Sequence, residues 1–169
     1  MKITLAEIKD VPEMVKLING AYRGEESKKG WTTEAEMVAG DLRINEESMK
    51  VLMQTPGTVF LKYCNDDNKI EGAVFLQKRG QKLYLGMLSV LPFLQTKGIG
   101  KKLMAAADLY AKEQHCSAVF MRVISVRNEL IAWYEKQGYY KTGETEPFTD
   151  GIFGTARYAI EFVVMQKEL

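Results

Sequence analysis

The sequence predicts a mixed α/β (α+β) fold, with a central, mostly antiparallel sheet of about seven strands and a parallel pair at its centre, flanked by helices. Two observations lead to this prediction. Three consecutive β-type segments joined by short turn signals predict antiparallel neighbours. A strand–helix–strand unit follows them, and its crossover makes the two strands parallel, with a right-handed connection. The 169 residues suggest a single domain over residues 1–169.

The first half of the chain predicts one strand, three helices and a meander. Asp10 is expected to cap the first helix, with Glu13 completing a capping box. Thr33 and Glu36 repeat this signature for a second helix. The predicted elements are strand Ile3–Ala6, helices Asp10–Tyr22, Thr33–Leu42 and Glu46–Met53, and strands Thr58–Cys64, Ile70–Gln77 and Leu83–Val90.

The second half predicts alternating helices and strands. Apolar residues at helical spacing, Ile99, Leu103 and Ala107, form one face of a long helix. Asn128 is expected to cap the next helix, and Gly138 to end it. The predicted elements are a helix reaching Lys112, strand Ser117–Val123, helix Asn128–Gln137, and strands Tyr139–Thr142 and Arg157–Gln166.

Composition excludes several classes of protein. The net charge of +1, from 23 basic and 22 acidic residues, argues against a nucleic-acid partner. No apolar run reaches the roughly 20 residues of a membrane helix, and Glu7 comes too early for a signal peptide. Two cysteines without a disulfide pattern fit a cytoplasmic protein, and one histidine argues against a metal site. A homodimer through a β-edge or an apolar helix is compatible with the sequence.

The segment Gln95–Lys101 has the pattern of an anion site. It follows an apolar strand and precedes a long helix, whose first N–H groups have no partner inside the helix. Because Gly98 and Gly100 lack side chains, an anion can approach the bare backbone there, where the helix dipole favours negative charge. Two other phosphate loops are excluded by spacing. A dinucleotide fingerprint needs glycine where the chain has Leu103, and a P-loop needs serine or threonine where it has Lys102.

Gln95-x-x-Gly98-x-Gly100 at this strand-to-helix junction resembles the acyl-CoA pyrophosphate loop of the GNAT superfamily of N-acetyltransferases. A second segment, Asn128–Tyr139, contains Tyr-Glu-Lys-x-Gly-Tyr and resembles the family's second cofactor segment. The spacing from Asn128 to Tyr134 is one residue shorter than the commonest family form. The element order extends the resemblance over nearly the whole chain.

The resemblance implies acetyl-CoA as the acetyl donor and no metal. The pyrophosphate would rest on backbone N–H groups of the loop, with Gln95 shaping the turn. The pantetheine arm would enter a gap between the two parallel strands and bond to the backbone of the first strand. The cofactor-binding residues implied are Leu88, Ser89, Val90, Gln95, Lys97, Gly98, Gly100, Lys101 and Asn128.

The resemblance assigns Tyr134 as the general acid that protonates the leaving thiolate. From periodicity alone Tyr134 reads as a core aromatic. The base that deprotonates the amine is left open among Glu25, Glu26 and Glu71. The adjacent pair His115–Cys116 is not expected to act as base and nucleophile, because neighbours at a helix end rarely face each other.

The resemblance implies that the acceptor side is built from the first two helices and the last loop between strands, which correspond here to residues 22–33 and 147–158. Trp31, Phe148 and Phe153 are expected to form apolar walls. Charges of both signs occur there, so the sequence does not choose the acceptor. The predicted activity is acetyl transfer from acetyl-CoA to a primary amine of a small molecule or peptide by direct attack; the alternative is a non-catalytic CoA or acyl-CoA sensor. The charged residues are Arg23, Glu25, Glu26, Lys28 and Arg157.

Overall fold

A seven-stranded sheet in the order β1-β3-β4-β5-β6-β9-β7 runs through the computed structural model, which describes residues 1–151 and 154–169. A two-stranded ribbon, β2-β8, lies beside it. Short 3₁₀ turns occupy Ile8–Asp10 and Pro92–Leu94. The strands are β1 (Lys2–Leu5), β2 (Val38–Ala39), β3 (Thr58–Cys64), β4 (Ile70–Arg79), β5 (Lys82–Val90), β6 (Ala118–Ile124), β7 (Tyr140–Pro147), β8 (Thr155–Ala156) and β9 (Glu161–Glu168). The helices are α1 (Val11–Tyr22), α2 (Gly24–Ser27), α3 (Glu46–Gln54), α4 (Ile99–Glu113) and α5 (Asn128–Lys136).

The pairing of the main sheet confirms the predicted fold class. Every neighbouring pair is antiparallel except β5 and β6, which are parallel and central. Helix α4 forms the crossover between these two strands, as the sequence predicted. The parallel pair therefore carries the strand-to-helix junction at the centre of the sheet.

The two central strands part after only a short ladder. Pairing is restricted to Lys82–Tyr84 on β5 and Ala118–Phe120 on β6. Beyond it, β5 has a bulge against β4, where Met87 takes a left-handed φ of +51°. Because a bulge inserts an extra residue and bends its strand, it accounts for the divergence of β5 from β6. The result is a gap between the carboxyl-terminal halves of both strands.

Helices cover both faces of the sheet. One apolar cluster joins the sheet to α4 and α5, and the other joins it to α1 and α3. Helix α4 approaches the sheet closely at Gly72, where an added Cβ would lie 2.9 Å from side-chain atoms of both Ile99 and Leu103. This contact fixes the N-terminus of α4 beside the end of β5. Among the described residues, none of the helices has the length and hydropathy needed to cross a membrane.

The helix predicted over Thr33–Leu42 is wrong. This stretch forms turns and the short strand β2, whose Val38 pairs with Ala156. The Thr33 hydroxyl accepts the Ala35 N–H, but Glu34 is drawn inward and its carboxylate binds Arg23. Tertiary contacts therefore override the local capping signature.

Two predicted caps also differ. The Asp10 carboxylate does not cap α1; it accepts hydrogen bonds from the Glu7 N–H and Lys62 Nζ, both at 2.7 Å. Glu13 Oε1 accepts the Ile70 N–H at 2.9 Å instead of completing a capping box. Asn128 is the first residue of α5, and the preceding residue takes the cap position without a side-chain bond. Strand β7 continues to Pro147, so the predicted strand Tyr139–Thr142 was too short. Strand β9 begins at Glu161, so the predicted start at Arg157 was too early.

Candidate active site

The N-terminus of α4 presents a row of free backbone donors. Gly98 precedes the helix with a φ of +84°, a left-handed conformation that suits glycine. The N–H groups of Gly98, Ile99, Gly100 and Lys101 have no acceptor among the described residues. The predicted donor Lys97 differs, because its N–H bonds the Leu94 carbonyl at 3.1 Å. Four consecutive N–H groups therefore remain for an anion.

The Gln95 side chain holds this loop in place. Its Oε1 accepts the Trp31 N–H at 2.8 Å, and its Nε2 donates to the Thr32 hydroxyl at 2.7 Å and the Val90 carbonyl at 3.1 Å. One side chain thus ties the loop to the end of β5 and to the segment after α2. The ammonium groups of Lys97 and Lys101 belong to exposed residues beside the loop.

Two small cavities meet in the gap between β5 and β6. The first, of about 40 Å³, is called the cofactor-side cavity and lies between the glycine loop, β5 and α5. The second, of about 60 Å³, is called the reaction cavity and lies between β5, β6 and the end of α1. Four residues line both cavities and so mark their junction: Tyr22, Leu88, Leu130 and Tyr134.

The predicted pantetheine-binding backbone lies along this gap. The Leu88 carbonyl accepts a hydrogen bond from the Tyr22 hydroxyl, and Leu88 and Val90 line the cofactor-side cavity. Ser89 is buried, and its hydroxyl bonds the Met87 carbonyl at 2.9 Å. The backbone of this stretch is therefore at the junction, whereas the Ser89 hydroxyl is used within the bulge.

Two phenols stand at the junction, and only one of them is free. The Tyr134 hydroxyl has no hydrogen-bond partner among the described residues, whereas the Tyr22 hydroxyl is bound to Leu88. Burial, reinforced by nearby Tyr22, raises the pKa of Tyr134 well above its ordinary value. Burial and the Glu34 charge raise the pKa of Tyr22 to about 12. Both phenols are therefore protonated at neutral pH, and Tyr134 is the one available to donate a proton.

A larger cavity of about 350 Å³ continues outward from the reaction cavity and is called the acceptor cavity. The two share four lining residues: Glu34, Arg43, Arg122 and Phe162. The predicted wall Phe148 lines the acceptor cavity and packs on Phe162, with ring centroids 5.7 Å apart. Trp31 instead lines the cofactor-side cavity and contacts Trp133 at 6.0 Å, and Phe153 lies outside the described residues.

Several other candidates lie away from the three cavities. Glu25 and Glu26 are exposed and pair with Lys28 and Lys29 on the surface. Glu71 bonds Asn65. Arg157 donates its Nε to the Ala35 carbonyl, and Asn128 is exposed in a separate outer groove. His115 takes a left-handed φ of +59° at the end of α4, next to buried Cys116.

Tyr22 was expected at the start of the acceptor side, but sequence reasoning missed four other residues that line the site. Glu34 was predicted only as part of a helix. The others are arginines from separate elements, which no local pattern connects. Because the carboxyl ends of neighbouring parallel strands meet at one edge of the sheet, Arg122 near the end of β6 and Arg127 just after it did carry a positional signal. The missed residues are Glu34, Arg43, Arg122 and Arg127.

Within the described part of the chain, no group of three or more histidine, cysteine or carboxylate side chains is arranged to hold a metal ion.

Comparisons with known proteins show that the fold is shared with solved structures. The ribosomal-protein-alanine N-acetyltransferase from Brucella melitensis has 18% identity, a TM-score of 0.74 and coverage of 100% of both chains. The ribosomal-protein-S18-alanine N-acetyltransferase from Escherichia coli has 15% identity and a TM-score of 0.71, covering 99% of this chain and 92% of its own. The PaiA N-acetyltransferase from Thermoplasma acidophilum, solved in complex with coenzyme A, has 21% identity, a TM-score of 0.68 and coverage of 100% of both.

At these identities the solved structures establish a shared fold. A sequence comparison with curated proteins gave no significant match. The family model described as the acetyltransferase (GNAT) family matches residues 12–139, which is most of the chain and contains both the glycine loop and Tyr134. The chain therefore belongs to the GNAT acetyltransferase family.

Proposed function

We propose that this protein is an N-acetyltransferase that moves an acetyl group from acetyl-CoA directly to a primary amine of a small molecule or peptide. One observation carries the proposal. The cofactor-side cavity and the reaction cavity meet at Tyr134, in the gap between β5 and β6. A donor entering from the glycine loop and an amine entering from the opposite side would meet there.

The residues present fit acetyl-CoA. The four free N–H groups at the start of α4 suit its pyrophosphate, because backbone donors and the helix dipole both favour an anion. A Cβ added at Gly100 would lie 3.6 Å from the nearest Trp133 atom, an ordinary contact, so glycine leaves open a space beside the loop that a larger side chain would fill. Leu88 and Val90 line the channel from this loop to the junction. When bound, acetyl-CoA supplies the acetyl group as a thioester, which an amine can attack without a covalent enzyme intermediate.

Tyr134 holds the proton that the leaving thiolate needs. A phenol has a reference pKa near 10 and a thiol near 8.5, so transfer requires a positioned donor rather than a strong acid. The hydroxyl of the buried residue Tyr134 meets this requirement because it is protonated and has no hydrogen-bond partner among the described residues. Backbone N–H groups of β5 would polarise the thioester carbonyl, which gains negative charge as the amine attacks.

The incoming amine arrives mostly as an ammonium ion and has to lose a proton before attack. Glu34 is the carboxylate that lines the reaction cavity in the described part of the chain. Its side chain is 10% exposed and is held by Arg23 at 3.3 Å. Glu34 therefore orients the ammonium and accepts its proton, directly or through a water molecule.

The test is thiol release from acetyl-CoA in the presence of a panel of primary amines, read beside the melting temperature with and without acetyl-CoA. The proposal expects a raised melting temperature and turnover with at least one amine class. A raised melting temperature with no turnover on any amine would overturn the enzyme assignment and favour the acyl-CoA sensor. No shift and no turnover would overturn acetyl-CoA binding itself.

A further inference from the structure

The acceptor cavity is lined by an excess of positive charge. The described residues in its walls carry three guanidinium groups, from Arg23, Arg43 and Arg122, and one carboxylate, from Glu34. The Glu34 carboxylate lies 3.3 Å from Arg23 Nε, and both side chains are nearly buried, so these two charges balance each other. Two guanidinium groups remain to set the charge of the space.

Arg43 has no carboxylate partner among the described residues. Its guanidinium carbon lies 6.0 Å from the centroid of the Tyr22 ring, which stacks beside it without neutralising it. The Arg43 charge also acts on Tyr22, whose pKa it lowers against the stronger effect of burial. The Arg43 side chain thus reaches the junction end of the site, where no carboxylate among the described residues pairs with it.

Arg122 has a partner that lies outside the cavity. Its Nη1 bonds Glu146 at 3.1 Å, but the two side chains are 34% and 46% exposed, so water weakens this pair. Glu146 does not line the acceptor cavity, whereas Arg122 does. Arg127 adds a further positive charge to the reaction cavity, where its Nη2 donates only to the Trp31 carbonyl.

The acidic residues near the segment after α1 do not offset these charges. Glu25 and Glu26 pair with Lys28 and Lys29 at 2.8 and 3.1 Å on the outer surface and line none of the three cavities. The sequence left open whether the acceptor side is positively or negatively charged. The charge is positive in the cavity where an acceptor would bind.

We propose that the acceptor is an amine that also carries an anionic group, a carboxylate or a phosphate, which Arg43 and Arg122 bind; this rests on the proposed function. Guanidinium groups match the planar oxygens of both anions and form charge-assisted hydrogen bonds with them. The cavity of about 350 Å³ suits a small molecule. With the anion in the acceptor cavity, the amine points through the shared residues toward Glu34 and Tyr134.

The experiment compares amines that differ only in the anion. The pairs are β-alanine with β-alaninamide, free α-amino acids with their carboxamides, and phosphoethanolamine with ethanolamine, together with putrescine as a cationic amine. The proposal expects kcat/KM at least about tenfold higher for the anionic member of one pair, since a charge-assisted hydrogen bond is worth roughly 1.5–3 kcal/mol. The preferred pair identifies the anion as carboxylate or phosphate.

Variants assign the effect to the two arginines. Arg43→Gln and Arg122→Gln are each expected to raise KM for the anionic amine about tenfold or more, and to lower by a similar factor the ratio of kcat/KM for the anionic amine to kcat/KM for its neutral counterpart. Arg43→Lys, which keeps the charge, recovers part of the loss. Lys50→Gln removes the same charge from the exposed face of α3 and serves as the control.

The outcomes separate this inference from the proposed function. If neutral amines or putrescine are acetylated as well as their anionic counterparts, or Arg43→Gln leaves the preference unchanged, the anion site is wrong and the acetyltransferase stands. If the preferred acceptor is a peptide whose carboxylates can be removed without loss, the inference is also wrong. If no amine is acetylated, the proposed function itself fails.

Discussion

Replacing Tyr134 by phenylalanine is the most informative single substitution. The change removes only the hydroxyl, which has no hydrogen bond to the described residues, so the free energy of unfolding is expected to change little. A positioned general acid contributes roughly 10²–10⁴ to the rate. We therefore expect kcat to fall by that factor, which corresponds to about 2.7–5.4 kcal/mol in activation free energy. The assay is thiol release from acetyl-CoA with an accepted amine, and KM for acetyl-CoA is expected to stay nearly constant.

Tyr139→Phe provides the matched control. The Tyr139 hydroxyl is also buried and unpartnered, yet it lines none of the three cavities, so its removal should leave kcat unchanged. The pH profile adds a second readout. Because the pKa of Tyr134 is raised well above 10, this residue should cause no loss of rate below about pH 10. A Tyr134→Phe variant that keeps kcat within twofold of the wild type would refute the role of Tyr134 as the acid.

Three further predictions concern the glycine loop and one buried ion pair. Gly98→Ala puts a Cβ on a residue with φ +84°, so thermal melts should show a loss of about 1–2 kcal/mol; an unchanged melting temperature would contradict the strain. Gly100→Ala, in the first turn of α4, should stabilise the fold by roughly 0.5–1 kcal/mol yet weaken acetyl-CoA binding in calorimetry, and unchanged affinity would argue against the cradle. Burial opposes ionisation of Asp10, but hydrogen bonds from Lys62 and the Glu7 N–H lower its pKa overall. The stabilisation from this ion pair is therefore fully present above the ordinary carboxyl pKa near 3.9, and it is lost as the pH falls through the lowered pKa of Asp10. In Asp10→Asn, the free energy of unfolding measured with urea should therefore fall less steeply as the pH is lowered.

The sequence predicted those parts of the molecule that local patterns specify. The seven strands, the parallel pair and the helix after Gly100 were predicted from periodicity, turn signals and the need for a crossover. The glycine loop was recognisable because an anion site at the start of a helix needs residues without side chains at fixed positions. The sequence did not reveal which N–H groups of the loop are free, because the Lys97 N–H is taken up by a turn with the Leu94 carbonyl.

The segments 22–33 and 147–158 were expected on the acceptor side, but the rest of its lining was out of reach because contacts between distant residues create it. Glu34 sits in a stretch whose capping signature predicts a helix, but its pairing with Arg23 keeps it in a turn. The bulge at Met87, which opens the gap, has no turn residue at the position with positive φ. Strands β3, β4 and β5 lie between Arg43 and Arg122 in the sequence, and only the folded topology brings both residues to the wall of one cavity.

The most direct test of the whole account is a crystal structure of the protein with acetyl-CoA. The account predicts the pyrophosphate on the N–H groups of Gly98–Lys101, the pantetheine arm in the gap beside Leu88 and Val90, and the sulfur within hydrogen-bond reach of the Tyr134 hydroxyl. A donor bound outside the gap between β5 and β6, or a sulfur separated from Tyr134 by intervening side chains, would contradict it.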